Sequence, residues 1–159
     1  EGIGFNKTPD VYGAFPTDPY SHTPGFAGAR QPGMTGQVKE EVLTRLLELG
    51  VEVADARVSF KPSVLRRSEF LGSSATLRYF DTVGASQAVA LEAGELGFTY
   101  CQVPVVMTLA DSPSITLHTA NGATESVAGS VLNAEQSEAL FKKTGQYVRL
   151  DVRVTQVMG

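Results

Sequence analysis

From Val51 onward the apolar residues come in short runs, and this rhythm limits the fold more than any other feature of the chain. Val51, Val53, Val58 and Phe60 alternate with polar neighbours. Ala75 to Phe80 alternates again, with Leu77 and Tyr79 on one face, and Gln87 to Leu91 follows as another short run. A period of two puts successive side chains on opposite faces of a strand, so each run is a half-buried strand. Val64 to Leu71 belongs to the same series, with Phe70 and Leu71 apolar. Gly97 to Leu109 reads as one long strand broken at Pro104, which marks an edge or a bulge because proline brings no N–H to a ladder. Tyr147 to Val154 closes the chain. Tyr147, Arg149, Asp151 and Arg153 fall on one side of it, and Val148, Leu150, Val152 and Val154 on the other. About eight such strands with turn signals between them predict a mainly β fold over 51–159, an antiparallel β-sandwich or jelly-roll-like domain.

Ile115 to Ala120 and Ala123 to Val127 flank Asn121-Gly122, the strongest short hairpin signal available. A two-residue turn there places His118 opposite Glu125, with β-carbons about 5 Å apart. The expectation is a structural charge-assisted pair and no catalytic role for His118.

Two helices interrupt the strands. In 38–50, Val38, Val42, Leu46 and Leu49 share one stripe, widened by Leu43 and Leu47. Thr35 is placed to cap its start and Gly50 to end it in a left-handed conformation. Near 134–144, Asn133 and Gln136 have the spacing of a capping box, Lys142 and Lys143 fall in the last turn, and Gly145 ends the helix.

Residues 1–37 differ from all of this. They hold five of the eight prolines and five of the thirteen aromatics, with scattered glycines and no period, which prevents a regular element. A disordered tail is normally poor in aromatics. The expectation is therefore an extended, ordered arm. Its aromatics would pack on the β domain, on a second subunit, or on an N-terminal part of a larger protein. The chain opens at Glu1 rather than Met, which fits a processed, trimmed or partial sequence.

The net charge of −4, with no basic cluster, excludes a nucleic-acid or anionic-membrane surface. No apolar run is long enough to span a bilayer. Without a signal-peptide pattern, the cytoplasm is the expected compartment. Cys101 is the single cysteine, so no intrachain disulfide is possible, and its apolar neighbours predict a buried, inert thiol. One cysteine and two histidines give no zinc set. No calcium loop, dinucleotide fingerprint or nucleophile elbow is present, so no metal or cofactor is expected.

Two places hold groups that chemistry uses. Asp18-Pro19-Tyr20-Ser21-His22 puts a carboxylate, a phenol and an imidazole on one stiff segment. The plain alternative is that Tyr20 packs, His22 bonds a carbonyl and Asp18 caps a turn. At the first helix, the N–H groups of Gly36, Gln37 and Val38 face outward along the helix dipole and attract an anion or a polarised oxygen. Gly33 and Gly36 let a ligand come close to the backbone. The plain alternative here is an ordinary start capped by Thr35.

The order of these parts carries a resemblance. The turn Gly33-Met34-Thr35-Gly36-Gln37 leads into an amphipathic helix. Leu49-Gly50-Val51 forms its exit, then a small strand pair ends near Phe60-Lys61-Pro62, and a β domain follows with Gly94-Glu95-Leu96-Gly97-Phe98-Thr99. This resembles the C-terminal end of six-hairpin (α/α)-barrel glycoside hydrolases and phosphorylases, where the last barrel helix is followed by a β cap. The resemblance implies a carbohydrate-active protein whose C-terminal segment supplies substrate-side loop residues and a structural cap. It implies a substrate-binding set of Tyr20, His22, Arg30, Thr35, Gly36 and Gln37, with a saccharide or phosphate as partner. The chain departs from the pattern by having no tryptophan and no barrel helices to carry a general acid. It is therefore not expected to catalyse alone, and its catalytic residues are unassigned. A second reading stays open: a stand-alone β-sandwich interaction or assembly module without catalytic activity. Either reading implies a homo-oligomer or a contact with an N-terminal region. A sugar-binding module is a third option, against which the lack of tryptophan counts.

Overall fold

The computed structural model describes residues 34–155 and 157–158, with side chains described from Glu41 onward. The chain falls into two compact units, Glu1–Arg45 and Leu46–Gly159. The expected arm lies outside the described residues.

Helix α1 runs Met34–Glu48 and crosses the boundary between the units. It starts four residues earlier than the stripe from Val38 predicts. Met34, Val38 and Val42 share the four-residue spacing, so the apolar row already begins at Met34. Thr35 therefore sits inside the first turn and is not the cap. The other end is as expected. Gly50 is left-handed at φ 70°, and its N–H donates to the Leu47 carbonyl at 2.9 Å.

The second unit is mainly β and sandwich-like. Strands β1 (Val51–Ala54) and β2 (Arg57–Phe60) form one hairpin; β3 (Ala75–Phe80) and β4 (Ser86–Leu91) form another. Strands β5 (Glu95–Tyr100), β6 (Val103–Leu109), β7 (Ser114–Thr119), β8 (Thr124–Ala128) and β9 (Tyr147–Val154) make a five-stranded sheet ordered β5-β6-β9-β7-β8. Its pairs are antiparallel except β6 with β9, which is parallel. Helix α2 (Ala134–Phe141) lies between β8 and β9 in the chain.

Three sequence expectations change. Val64 to Leu71 is not a strand. It carries a 3-10 turn at Arg67–Glu69, where the Glu69 carboxylate accepts from the Arg66 N–H at 3.1 Å. Gly97 to Leu109 is two strands joined at Cys101-Gln102, both with positive φ. Pro104 nonetheless falls where expected: it pairs only with Thr99, and the β6–β9 ladder starts one residue later at Val105. Helix α2 has its predicted capping box, Asn133 Oδ1 accepting from Gln136 N–H at 2.8 Å and Gln136 Oε1 from Asn133 N–H at 3.1 Å. Its end comes earlier than Gly145. The Lys143 N–H donates to Leu140 and the Thr144 N–H to Ala139, with Lys143 left-handed at φ 49°. This is a Schellman end with lysine in the position glycine prefers.

The core gathers on one face of the large sheet. Val105, Met107, Ile115, Leu117, Leu150 and Val152 pack with Val58, Phe60, Leu65, Leu132 and Leu140. Each large aliphatic side chain taken fully out of water contributes roughly 1.5–3 kcal/mol. Ser137, fully buried, ties the β1–β2 hairpin to α2. Its hydroxyl accepts from the Val58 N–H at 3.0 Å and donates to the Asn133 carbonyl at 2.8 Å. The opposite sheet face buries Val106 but is mostly polar across β7 and β9, and it is there that chemistry-bearing side chains collect.

Candidate functional site

Strand β9 alternates as its sequence requires over its last six residues. Leu150, Val152 and Val154 are buried, while Arg149, Asp151 and Arg153 point to the polar face. Register decides their neighbours. Asp151 lies beside Val106 of β6 and Thr116 of β7, Arg149 beside His118, and Arg153 beside Thr108 and Ser114. The Asp151 carboxylate holds two partners at once. His118 Nε2 meets Oδ2 at 2.7 Å, and Arg149 Nε donates to Oδ1 at 2.6 Å. All three side chains are about one-third exposed, at 34–35 %. Glu95, Thr108, Thr116 and Arg153 join Arg149 and Asp151 around a shallow hollow of about 200 Å³.

This arrangement suits binding. Each Asp151 oxygen takes one short contact, to His118 or to Arg149, so the carboxylate holds both side chains in place. The outer nitrogens of Arg149, the guanidinium of Arg153 and two threonine hydroxyls remain to meet oxygen-rich groups. Among the described residues no group of three or more His, Cys, Asp or Glu is placed to hold a metal ion.

His118 therefore does not pair with Glu125. The hairpin has a three-residue loop. Gly122 N–H donates to the Thr119 carbonyl, with Gly122 left-handed at φ 85°, and His118 lies opposite Thr124 while Leu117 lies opposite Glu125. The one-residue shift puts Glu125 on the Leu117 face, away from His118, and the β7–β9 pairing brings His118 to Asp151.

Glu125 has other partners, the Tyr147 hydroxyl and Gln136 Nε2, both at 3.1 Å. Tyr147 is also not on the expected face. A register shift between His118 and Thr119 opposite it leaves Val148 exposed and turns Tyr147 inward, 5 % exposed. Burial, then the Glu125 carboxylate, pushes the Tyr147 phenol from an ordinary 10.0 up to about 12. The neutral phenol is the form the fold prefers. Its stabilising share is therefore complete below pH 10 and disappears as the pH rises from 10 to about 12. Changing Glu125 to Gln is expected to lower the Tyr147 midpoint in an ultraviolet phenolate titration while leaving it above the ordinary value. An unmoved midpoint would show that the Glu125 contact is absent.

Of the candidate residues from sequence, Tyr20, His22 and Arg30, together with Asp18, lie outside the described residues. Thr35, Gly36 and Gln37 are placed by backbone alone, in the first turn of α1. With the helix starting at Met34, the amides of Gln37 and Val38 fall where the helical ladder uses them, and Gly36 is left with the outward one. Cys101 sits partly buried in the β5–β6 turn. Burial pushes its thiol up, with Lys143 pulling the other way, so it is a poor nucleophile at neutral pH.

The Asp151 cluster escaped the sequence reading. The alternation Arg149, Asp151, Arg153 was visible, but its partners come from strands distant in sequence. No protein-family model matches the chain, and no curated protein matches it. Among the described residues no helix is long and apolar enough to cross a membrane.

Proposed function

We propose that this chain is the C-terminal segment of a carbohydrate-active enzyme of the glycoside hydrolase or phosphorylase kind, giving it a β cap and substrate-side loop residues. The observation that supports this most is the breadth of the apolar sector on α1. At about 100° per residue, Leu49, Val42 and Leu46 fall within one narrow stripe, while Leu43 and Leu47 lie roughly 60–100° further round than Leu46. Leu46 and Leu49 belong to the β core. Val42, Leu43 and Leu47 are 57, 62 and 64 % exposed. A helix that served only to cover a sheet would need one apolar stripe; this one is built for a second apolar neighbour. A helical body of the kind the resemblance implies is such a neighbour.

In this reading Tyr20, His22, Arg30, Thr35, Gly36 and Gln37 face a saccharide or phosphate, and the general acid is carried elsewhere. The same exposed leucines also fit the second reading, an assembly module whose helix is covered by another copy. Assays of the complete coding frame against oligosaccharides, with and without inorganic phosphate, separate the two. Release of sugar or sugar phosphate is expected from that product and not from the chain alone. Turnover by neither, together with a dimer of the chain that Leu47→Glu dissociates, would replace the enzyme reading with the assembly module.

A further inference from the structure

A separate cavity of the β unit lies away from the Asp151 cluster. It is a cleft of about 360 Å³ between the β3–β4 hairpin, the β5–β6 turn and the start of β9. That volume is at the lower end of the range for small-molecule sites. Its polar groups are held in place before any ligand arrives. Asp81 accepts from the Val83 and Ala85 N–H groups at 3.0 and 2.8 Å, and from Gln87 Nε2 at 2.9 Å. The Asp81 backbone carbonyl accepts from Gln102 Nε2 at 3.0 Å. Two amides are thus fixed by one residue through their nitrogens, and their Oε1 atoms remain free to accept. The Tyr79 hydroxyl, on the same wall, has no hydrogen-bond partner among the described residues. Pro104 and Val148 supply apolar wall.

The turn that delivers Gln102 is strained. Cys101 and Gln102 have φ of 50° and 65°, a pair of left-handed positions that Asn-Gly fills readily and other residues do not. Strain kept at a cleft wall, where a glycine would relieve it, points to a use for the side chain.

We propose that this cleft is a saccharide-binding subsite for a neutral mono- or disaccharide unit. The ligand class follows from the lining. The Asp81 carboxylate is engaged by three internal donors, and the remaining polar side chains of the lining are uncharged: two amides, the Thr82 hydroxyl and the phenols of Tyr79 and Tyr147. An anionic ligand finds no cationic side chain there, and a cationic one would meet a carboxylate already satisfied by its own turn. A sugar finds acceptors for its hydroxyls, an aromatic ring and apolar wall for its C–H faces. The subsite is argued from the cleft alone, so it stands apart from the reading of α1 and of the arm.

The test is a ¹H–¹⁵N titration of the full chain with cellobiose, maltose and glucose 6-phosphate. Either disaccharide is expected to move the side-chain amides of Gln87 and Gln102 and the backbone near Asp81. Gln102→Ala should weaken binding roughly tenfold. Gln102→Gly removes the same amide while relieving the turn, so it should raise the melting temperature and still lose the sugar; this separates binding from folding. Shifts confined to other residues, no shifts with either disaccharide, or tighter binding of the phosphate ester would each overturn the subsite. Binding in the cleft without oligosaccharide turnover by the complete coding frame would leave the subsite standing and remove the enzyme reading.

Discussion

Gly50→Ala is expected to destabilise the β unit by about 2–5 kcal/mol, the largest effect of a glycine-to-alanine change among the described residues. Two costs add. Gly50 has φ 70°, a conformation that costs an L side chain about 1–2 kcal/mol. A Cβ there would also lie 2.1 Å from the Pro62 nitrogen and 2.3 Å from the Lys61 carbonyl carbon. Those are backbone atoms, and the Lys61 N–H is itself bonded to the Gly50 carbonyl at 2.7 Å, so the neighbour cannot move without breaking the join of α1 to the β1–β2 hairpin. Gly84→Ala provides the control. It has φ 80° with open space around it, so it measures the conformational cost by itself. Urea denaturation of both variants should show a lower midpoint for Gly50→Ala at unchanged slope. Equal midpoints for the two variants would mean that the close approach to Pro62 does not exist.

Leu117→Ala is expected to cost about 2–5 kcal/mol, a large share of the 5–15 kcal/mol typical of a whole domain. Leu117 is fully buried, and in the sheet it lies beside Leu150 of β9, which is 1 % exposed. Its removal leaves a cavity between β7, β9 and the layer formed by β2 and α2, and strands held by their ladders cannot collapse to fill it. Leu47→Ala, a change of the same chemistry at a position 64 % exposed, should stay within about 0.5 kcal/mol. Guanidinium unfolding of the pair decides the matter. A Leu117→Ala cost near that of Leu47→Ala would place Leu117 outside the core and discard the β7–β9 register.

What the sequence revealed and what it concealed can be separated residue by residue. The Asn133–Gln136 capping box and the left-handed Gly50 were legible because each is set by local bonding within a few residues. The alternation in β7 and β8 was legible because each strand has one face against the core. The turn at Cys101-Gln102 was not legible. Both residues have positive φ without being Gly or Asn, so the usual signal was missing and the β5–β6 hairpin was read as a single strand. Asn121-Gly122 gave the place of a turn but not its length. The extra loop residue took Glu125 away from His118, which finds Asp151 across the β7–β9 pair instead. The candidate site depended on information that no local pattern contains: His118 and Asp151 are 33 residues apart and meet only because β9 lies between β6 and β7.

That insertion has a consequence for how the sheet comes into being. β6 and β7 follow each other closely in the chain and run antiparallel, yet they do not pair, because β9 occupies the space between them. Until residues 147–154 are synthesised, the inner edges of both strands stay open, and Val105, Met107, Ile115 and Leu117 lack the strand beside which they are buried. During translation, the two hairpins and α2 precede the one strand that joins the halves. Slow, long-range closure of this kind leaves open edges exposed to pairing with other chains. Commitment to the folded state therefore waits for the ribosome to release β9, and a nascent chain stalled before Tyr147 is the species most open to chaperone capture and aggregation.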